Sequence, residues 1–500
     1  MARKLKQQQT GRNQPPASGR PAGLKLTAQE REAIAQALSD YHRAFHDCFY
    51  RQEQRRWSAL YLCGQLSNLE RKTIEPLVLG LCGIQPNVVR AVQSFIGSGQ
   101  WDVDQVIHCH QAQVAVSLGD PRGVVIVDGS GFPKQGQHSA GVAYQYCGAL
   151  GKVANCQEGV FVVYASPQGA TFLTGRLYLP QEWFDRDHHS RWQACQIPDD
   201  LRFRTEPELA LDMVRDLVER AIIPFQWVMC DEHFGQNPGF LEGIVALGKW
   251  YFAEVPSDTR VWLNTPAVEP PGPSLLGRPR VRARVRLDAP RSREVREIAA
   301  QLPKSQWQRL TIHEGSKGPV VAEFAFLRVT TVRNRLPGPR VWLVIRRSLE
   351  AQPEMKYYLC NAPATYAPQR LAEQSGQRWP IETVLEEAKG EVGMDHYETR
   401  TWRGWHHQMA QTFLAHHFLM HVRLQLKKIA RLDYCASTAV GRQHHRRRKE
   451  RSRYSGCDRL SPAPQSCRLS IASQANVTAS SKTWFQTEKA KSLVVMKVSL

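Results

Sequence analysis

Two apolar runs in this chain each end on an aspartate: "VVIVDGSGFPKQG" at 124–136 and "FQWVMCDEHFG" at 225–235. Runs of this kind read as strands covered on both faces, which requires a sheet with a layer on either side. A carboxylate at the tip of a buried strand is expensive to desolvate. Asp-Gly is also a common turn pair, so Asp128 by itself reads either as a turn cap or as a cation ligand. Asp231 repeats the pattern. If the two strands are parallel neighbours, both carboxylates fall at one edge of the sheet, where hard divalent cations are held for phosphate chemistry.

The sequence around these runs supplies the layers. Strand patterns recur at 158–166, 170–180 and 249–255, and helical ones at 206–222 and 239–248, giving the order β-β-β-α-β-α-β. Upstream, residues 24–118 read as a helical domain whose basic helices could lie on DNA. It opens with "LTAQEREAIAQAL", where Thr27 and Glu30 have capping-box spacing. Residues 119–255 are the first part of an α/β core, 256–362 an inserted β-domain, and 363–433 the helical remainder of the core. Residues 1–23 are a polar, basic arm and 434–500 a basic, Ser-rich tail; neither has a hydrophobic period, and both are expected to be disordered.

Lys and Arg number 66 against 46 Asp and Glu, a net charge of +20 over 500 residues. An excess of that size suits a polyanionic partner such as nucleic acid, or a surface that is merely basic. Within the insertion, "RVRARVRL" alternates Arg280, Arg282, Arg284 and Arg286 with apolar residues. In a strand this would place four guanidinium groups on one face, for DNA phosphates or for screening by nearby acids. None of the twelve cysteines is spaced as C-x-x-C, so they read as reduced thiols and not as a zinc ribbon. "HCH" at 108–110 reads as a helix surface. His406, His407, His416, His417 and His421 lack an acid or cysteine to complete a zinc shell, and His417 with His421 reads as a packed helix pair. No apolar run approaches the roughly 20 residues that span a bilayer. A soluble, cytoplasmic protein is expected.

A third acid is sought in "SGQRWPIETVLEEAKGEVGMDHYETRTWRGW" at 375–405. Ile381, Val384, Leu385, Ala388 and Val392 share one helix face, and Glu382, Glu386 and Lys389 lie on the next. Periodicity alone fits an ordinary solvated face. The segment resembles the signature of insertion-sequence transposases of the DDE type, Tyr-x2-Arg-x3-Glu-x6-Lys. Arg378, Glu382 and Lys389 stand at its spacings, and Ser375 stands where tyrosine is expected. "VIVDGSGFPKQG" and "VMCDEHFG" are similar to the family's two aspartate motifs, and the resemblance spans roughly residues 30 to 430.

The resemblance implies a ribonuclease-H-like mixed sheet with flanking helices, a β-insertion before the last acid and an N-terminal helical domain. It implies Asp128, Asp231 and Glu382 as catalytic ligands of two Mg²⁺ ions, which Mn²⁺ may replace. Arg378 and Lys389 would contact scissile-strand phosphates. The implied reaction is cleavage at the element's ends, followed by attack of the freed 3′-OH on target DNA, by a homodimer associated with a bacterial nucleoid. Two alternatives remain at this level: a DNA-binding protein without catalysis, and a ribonuclease-H-like nuclease without strand transfer. Of the three glutamates, Glu387 projects about 140° from Glu382, and Glu386 lies about 6 Å further along the helix. Glu382, beside the core residues Ile381 and Val384, has the rigid mounting a ligand needs.

Overall fold

Strand β1 (Val124–Pro133) lies inside a twelve-stranded mixed sheet, and Val124 to Val127 are buried. This computed structural model describes residues 27–272, 281–315 and 318–425; the 1–23 arm, the 434–500 tail and Arg280 lie outside them. Five helices precede β1: α1 (Ala28–Arg43), α2 (Gln52–Gln65), α3 (Ile74–Cys82), α4 (Pro86–Gly97) and α5 (Val103–Leu118). The capping box forms: Glu30 N–H donates to the Thr27 hydroxyl, and Thr27 N–H donates to the Glu30 carboxylate.

After β1 come β2 (Ala143–Cys147), β3 (Lys152–Ser166) and β4 (Gly169–Tyr178). Helices α6 (His189–Ala194) and α7 (Glu206–Arg220) lead to β5 (Trp227–Cys230). Then follow α8 (Glu232–Gly235), α9 (Pro238–Ala246) and β6 (Trp250–Val255). The expected order is present with the short helices α6 and α8 and the strand β2 added, β2 being a five-residue strand whose tyrosines face outward and so gave no burial signal. β3 pairs antiparallel with β1, β2 and β4, and β5 pairs parallel with β1 and β6. The chain leaves β1 toward β3 on one side and returns to β5 on the other. In open α/β sheets, ligands bind beyond the carboxyl ends of strands at such a switch in order.

Strand alternation divides the core. Val124 and Ile126 join a cluster with Phe161, Ile381, Trp405 and Phe413. Val125 and Val127 join Val214 and Leu217 of α7 and Phe240 of α9 on the opposite face.

The segment 256–362 continues the same sheet and is not set apart from it. It contributes β7 (Arg260–Trp262), β8 (Val268–Glu269), β9 (Arg284–Val285), β10 (Arg293–Glu294) and helix α10 (Val295–Ala300). The longer strands β11 (Gln308–Gly315), β12 (Gly318–Arg333), β13 (Leu336–Arg347) and β14 (Met355–Cys360) follow. Only β8 and β9 stand outside, as a two-stranded pair. Tyr357 of β14 lies opposite Val255 and Cys360 opposite Phe252, so β14 covers the edge that β6 would otherwise expose.

The long arginine strand expected at 280–287 does not form among the described residues. Only Arg284 and Val285 pair, with Glu269 and Val268. Val281 and Leu287 are 80% and 86% exposed, so nothing covers the apolar side that a two-faced strand needs. Arg284 and Arg286 are held by Glu269 at 2.9 Å and Asp288 at 2.7 Å, and Arg282 is exposed on irregular chain.

The chain closes with α11 (Pro368–Gln374), α12 (Pro380–Gly390) and a helix over 402–425. That last helix ties the N-terminal helices down through buried polar contacts. Tyr61 Oη donates to Gln408 Oε1, and Gln65 Nε2 donates to Thr412 Oγ1 at 3.0 Å. His417 packs between Tyr41 and Ser117, at 3.1 and 2.8 Å. His110, expected on a surface, is buried, with Nε2 2.8 Å from the Phe172 carbonyl oxygen. It lies in line with Ile107 and Val114, at three- and four-residue spacing on the buried side of α5.

Helix α8 approaches β6 so closely that a Cβ on Gly235 would lie 2.0 Å from the Glu254 carbonyl oxygen. The Gly235→Ala substitution must therefore shift α8 or β6. It is expected to lower stability by about 1–3 kcal/mol, measured as a reduced urea midpoint at unchanged m-value.

Candidate active site

The parallel register of β1 and β5 sets Val127 beside Cys230, so the following residues, Asp128 and Asp231, leave neighbouring strands at the same level. Adjacent strands lie about 4.8 Å apart. Asp231 also caps α8, its Oδ1 accepting from Phe234 N–H at 3.3 Å. Asp128 Oδ1 accepts from Gly129 N–H at 2.8 Å; the strand does not end at Asp128, as the sequence suggested, but runs on to Pro133 with Asp128 and Gly129 both paired to β3, so Asp128 caps no turn.

Arg378 precedes α12 and bridges the sheet to that helix. Its Nη1 donates to Asp128 Oδ2 and its Nη2 to Glu382 Oε1, both at 2.9 Å. Its Nε lies 3.9 Å from Glu254 Oε2, whose other oxygen takes Lys356 Nζ at 2.9 Å. Glu254 had a visible signal, a lone acid in the apolar strand "KWYFAEV", which the sequence reading passed over. Lys389, one turn on from Glu386 in α12, points back to the sheet and donates to the Gly131 carbonyl at 3.3 Å. Ser375 is buried, and its hydroxyl donates to the Ala372 carbonyl at 2.7 Å.

Burial pushes the Asp128 carboxyl up to about 7, with Asp231 adding to the shift and Arg378 opposing it. Burial also raises Asp231, against the Phe234 N–H and Arg378. Around the Arg378 cation burial is unfavourable, but Asp128, Glu382 and Glu254 more than reverse it and hold its pKa above the ordinary value. Burial lowers Lys389.

A second set of acids, missed in the sequence, lies behind β1. Glu158 of β3 is raised to about 8 by burial and then by Glu206 of α7, with Lys389 opposing. His233 Nε2 lies 3.4 Å from Glu206 Oε2. A Cβ on Gly129 would meet Glu158 Oε1 at 3.0 Å, which explains why glycine follows the aspartate.

The arrangement brings Asp128, Asp231, Glu382, Arg378 and Lys389 to one end of the sheet; Arg282, Arg284 and Arg286 belong to the insertion. Glu387 is elsewhere, paired with Arg423 at 2.6 Å and 3.3 Å from His416. Among the described residues no three Asp, Glu, His or Cys side chains are gathered closely enough to hold a metal ion. The cation between Asp128 and Glu382 is a guanidinium. In donor chemistry the three carboxylates fit a hard divalent ion, since all are oxygen ligands and Asp128 is held in an environment that favours neutralisation. His407, buried and stacked on Trp101 at 3.7 Å, and His416, bonded to Thr171 at 3.0 Å, are part of the core.

The site thus has two acids at one level of adjacent parallel strands and a third on a helix, joined to the first by Arg378. A model of the DDE superfamily endonucleases matches residues 44–319, more than half of the chain, and the chain belongs to that family. The matched span contains Asp128 and Asp231 and ends before Glu382. The chain is also similar to a protein of Microchaete diplosiphon described as "Probable transposase for insertion sequence element IS701". Identity is 24% over 332 residues, covering 66% of this chain and 73% of the relative. No helix among the described residues is long and apolar enough to cross a membrane.

The Asp128 shift has a stability consequence in metal-free protein. Its folded pKa of about 7 exceeds the ordinary aspartate value of 3.8, so the native state binds the extra proton between these limits. Stability from this group is fully present below pH 4 and lost as pH rises through 7. Asp128→Asn should flatten that decline, measured by urea titration at pH 5 and pH 8. Added Mg²⁺ should raise the melting temperature more at pH 8 than at pH 5, because protons compete for the same carboxylate.

Proposed function

We propose that the chain is an insertion-sequence transposase that binds the ends of its element, cuts them with two divalent metals and joins the 3′ ends to target DNA. What supports the reading is that Arg378 bridges Asp128 and Glu382, that Asp128 and Asp231 directly follow paired residues of parallel strands, and that the family model matches. Mg²⁺ ions held there, or Mn²⁺ in their place, would lower the pKa of an attacking water and stabilise the departing 3′ oxygen.

The chain's own residues have separate tasks. Asp128 and Asp231 are fixed by sheet register and supply the rigid pair. Glu382 is 45% exposed in its side chain against 15% for Asp128, so the helix brings the acid that opens to solvent and substrate. Arg378 and Lys389 offer cations beside the acids and are suited to scissile-strand phosphates, Arg378 in bidentate fashion. Domain roles follow the same reading: the helices within 24–118 bind end DNA, the sheet with 363–433 cuts it, and a homodimer holds two ends together.

Glu382→Gln keeps shape and removes charge, and should abolish Mg²⁺-dependent nicking of end duplexes while gel-shift affinity stays within about twofold. Glu386→Gln should keep measurable nicking. Glu387→Gln should instead lower the melting temperature, since it breaks the contact with Arg423 and His416. Nicking by Glu382→Gln with none by Glu386→Gln would reverse the assignment. Joined products with a target plasmid separate a transposase from a simple nuclease.

A further inference from the structure

We infer that Lys72 is a positioning residue for Glu382: it fixes the far end of α12 against the N-terminal helices and so sets where that helix delivers its acid. The inference rests on the reading of Asp128, Asp231 and Glu382 as metal ligands of a transposase. Lys72 lies between α2 and α3 and is 5% exposed. Its Nζ donates to three main-chain carbonyls, those of Gln65, Ser67 and Glu391. An ammonium has three protons, and here each has an acceptor.

Two of these carbonyls close helices. Gln65 is the last residue of α2, and Glu391 directly follows α12. Carbonyls at a helix C-terminus lack partners within the helix and carry its negative partial charge, so one cation between two such ends satisfies both. The neighbouring chain is fitted to this lysine. Lys72 N–H donates to His396 Nδ1 at 3.2 Å, and a Cβ on Gly393 would come within 2.8 Å of Lys72 Cβ.

Stability alone does not call for a cation here. Val392 and Met394, which follow Glu391, are buried, and an ammonium is costly to bury where an apolar side chain would pack. What the ammonium adds is direction, since its charge-assisted bonds fix the carbonyls they reach. Glu382 stands about 14 Å along the helix from Glu391, and a rigid helix passes a slip at one end to the other. At the near end Arg378 holds both Glu382 and Asp128, but the same guanidinium is the one proposed to take a scissile-strand phosphate. Once it turns to the phosphate, the Lys72 end is what keeps α12 in place, and a metal ligand tolerates only about 0.5 Å of misplacement.

The test uses the full-length protein, with Mg²⁺-dependent nicking of end duplexes, calorimetric titration with Mn²⁺, and the folded fraction taken from circular dichroism. Lys72→Met should lower kcat per folded molecule at least about fivefold and weaken Mn²⁺ binding at least about threefold, with KM for DNA within about twofold. Arg71→Ala breaks the neighbouring exposed pair with Glu398 and should leave all three values within about twofold. A smaller loss of kcat in Lys72→Met overturns the positioning role, as does an Arg71→Ala variant equally impaired. Should Lys72→Met fail to fold, Gly393→Ala carries the same test, because it keeps the lysine and crowds its Cβ; kcat should fall at least about threefold, and an unchanged kcat overturns the proposal. Absence of nicking by wild type defeats the transposase reading, and the Mn²⁺ titration then decides the positioning role alone. No Mn²⁺ binding by wild type overturns both.

Discussion

Asp128, midway along β1, and Asp231, just past the end of β5, follow paired residues of neighbouring parallel strands, and two carboxylates so placed repel where water is scarce. The Arg378 guanidinium relieves this repulsion. It also takes Glu382, so a single planar cation ties the sheet to α12 across the whole insertion. Remove that cation and the acids keep their strand positions, but the helix loses its strongest link to them. The geometry of the candidate site is therefore two constraints in series: hydrogen-bond register fixes the aspartates, and a charge-assisted fork fixes the glutamate. Register is the stiffer of the two.

A surrounding ring of groups tunes this arrangement. Glu254 and Lys356 form a pair at the outer side of Arg378, while Glu158, Glu206 and His233 lie behind β1. Each face of β1 thus meets ionisable groups at its carboxyl end, although the same strand is wholly apolar four residues earlier. The glycines at 129 and 131 make room for Glu158 and Cys147 on one face. The change from "VVIV" to "DGSG" marks a polar interruption, after which Phe132 returns the strand to the core.

Much of this was legible in the sequence because it is local. Apolar runs marked β1, β5 and β6, and 3.6-residue spacing marked α12 with Ile381, Val384 and Leu385 inward, as they are. What escaped was non-local or lacked burial. The pairing of β14 with β6 depends on residues far apart in the chain, so 256–362 looked like a separate unit. Residues 280–287 had perfect alternation and no partner to bury Val281 or Leu287. Alternation shows that a strand would have two faces, but says nothing of whether anything covers them. Glu158 and Glu254 sat in otherwise apolar stretches, where a lone acid is the legible sign of a site.

Because β14 closes the edge of β6, the insertion is structural to the catalytic sheet. A ribosome must finish the whole of it before the sheet can be completed, and only afterwards does the segment bearing Arg378 and Glu382 emerge. A nascent chain carrying both aspartates therefore still lacks the third acid and the cation that reconciles them. Assembly order makes this cluster of acids and arginine the last thing this part of the protein acquires, a built-in delay between making the polypeptide and completing its candidate site.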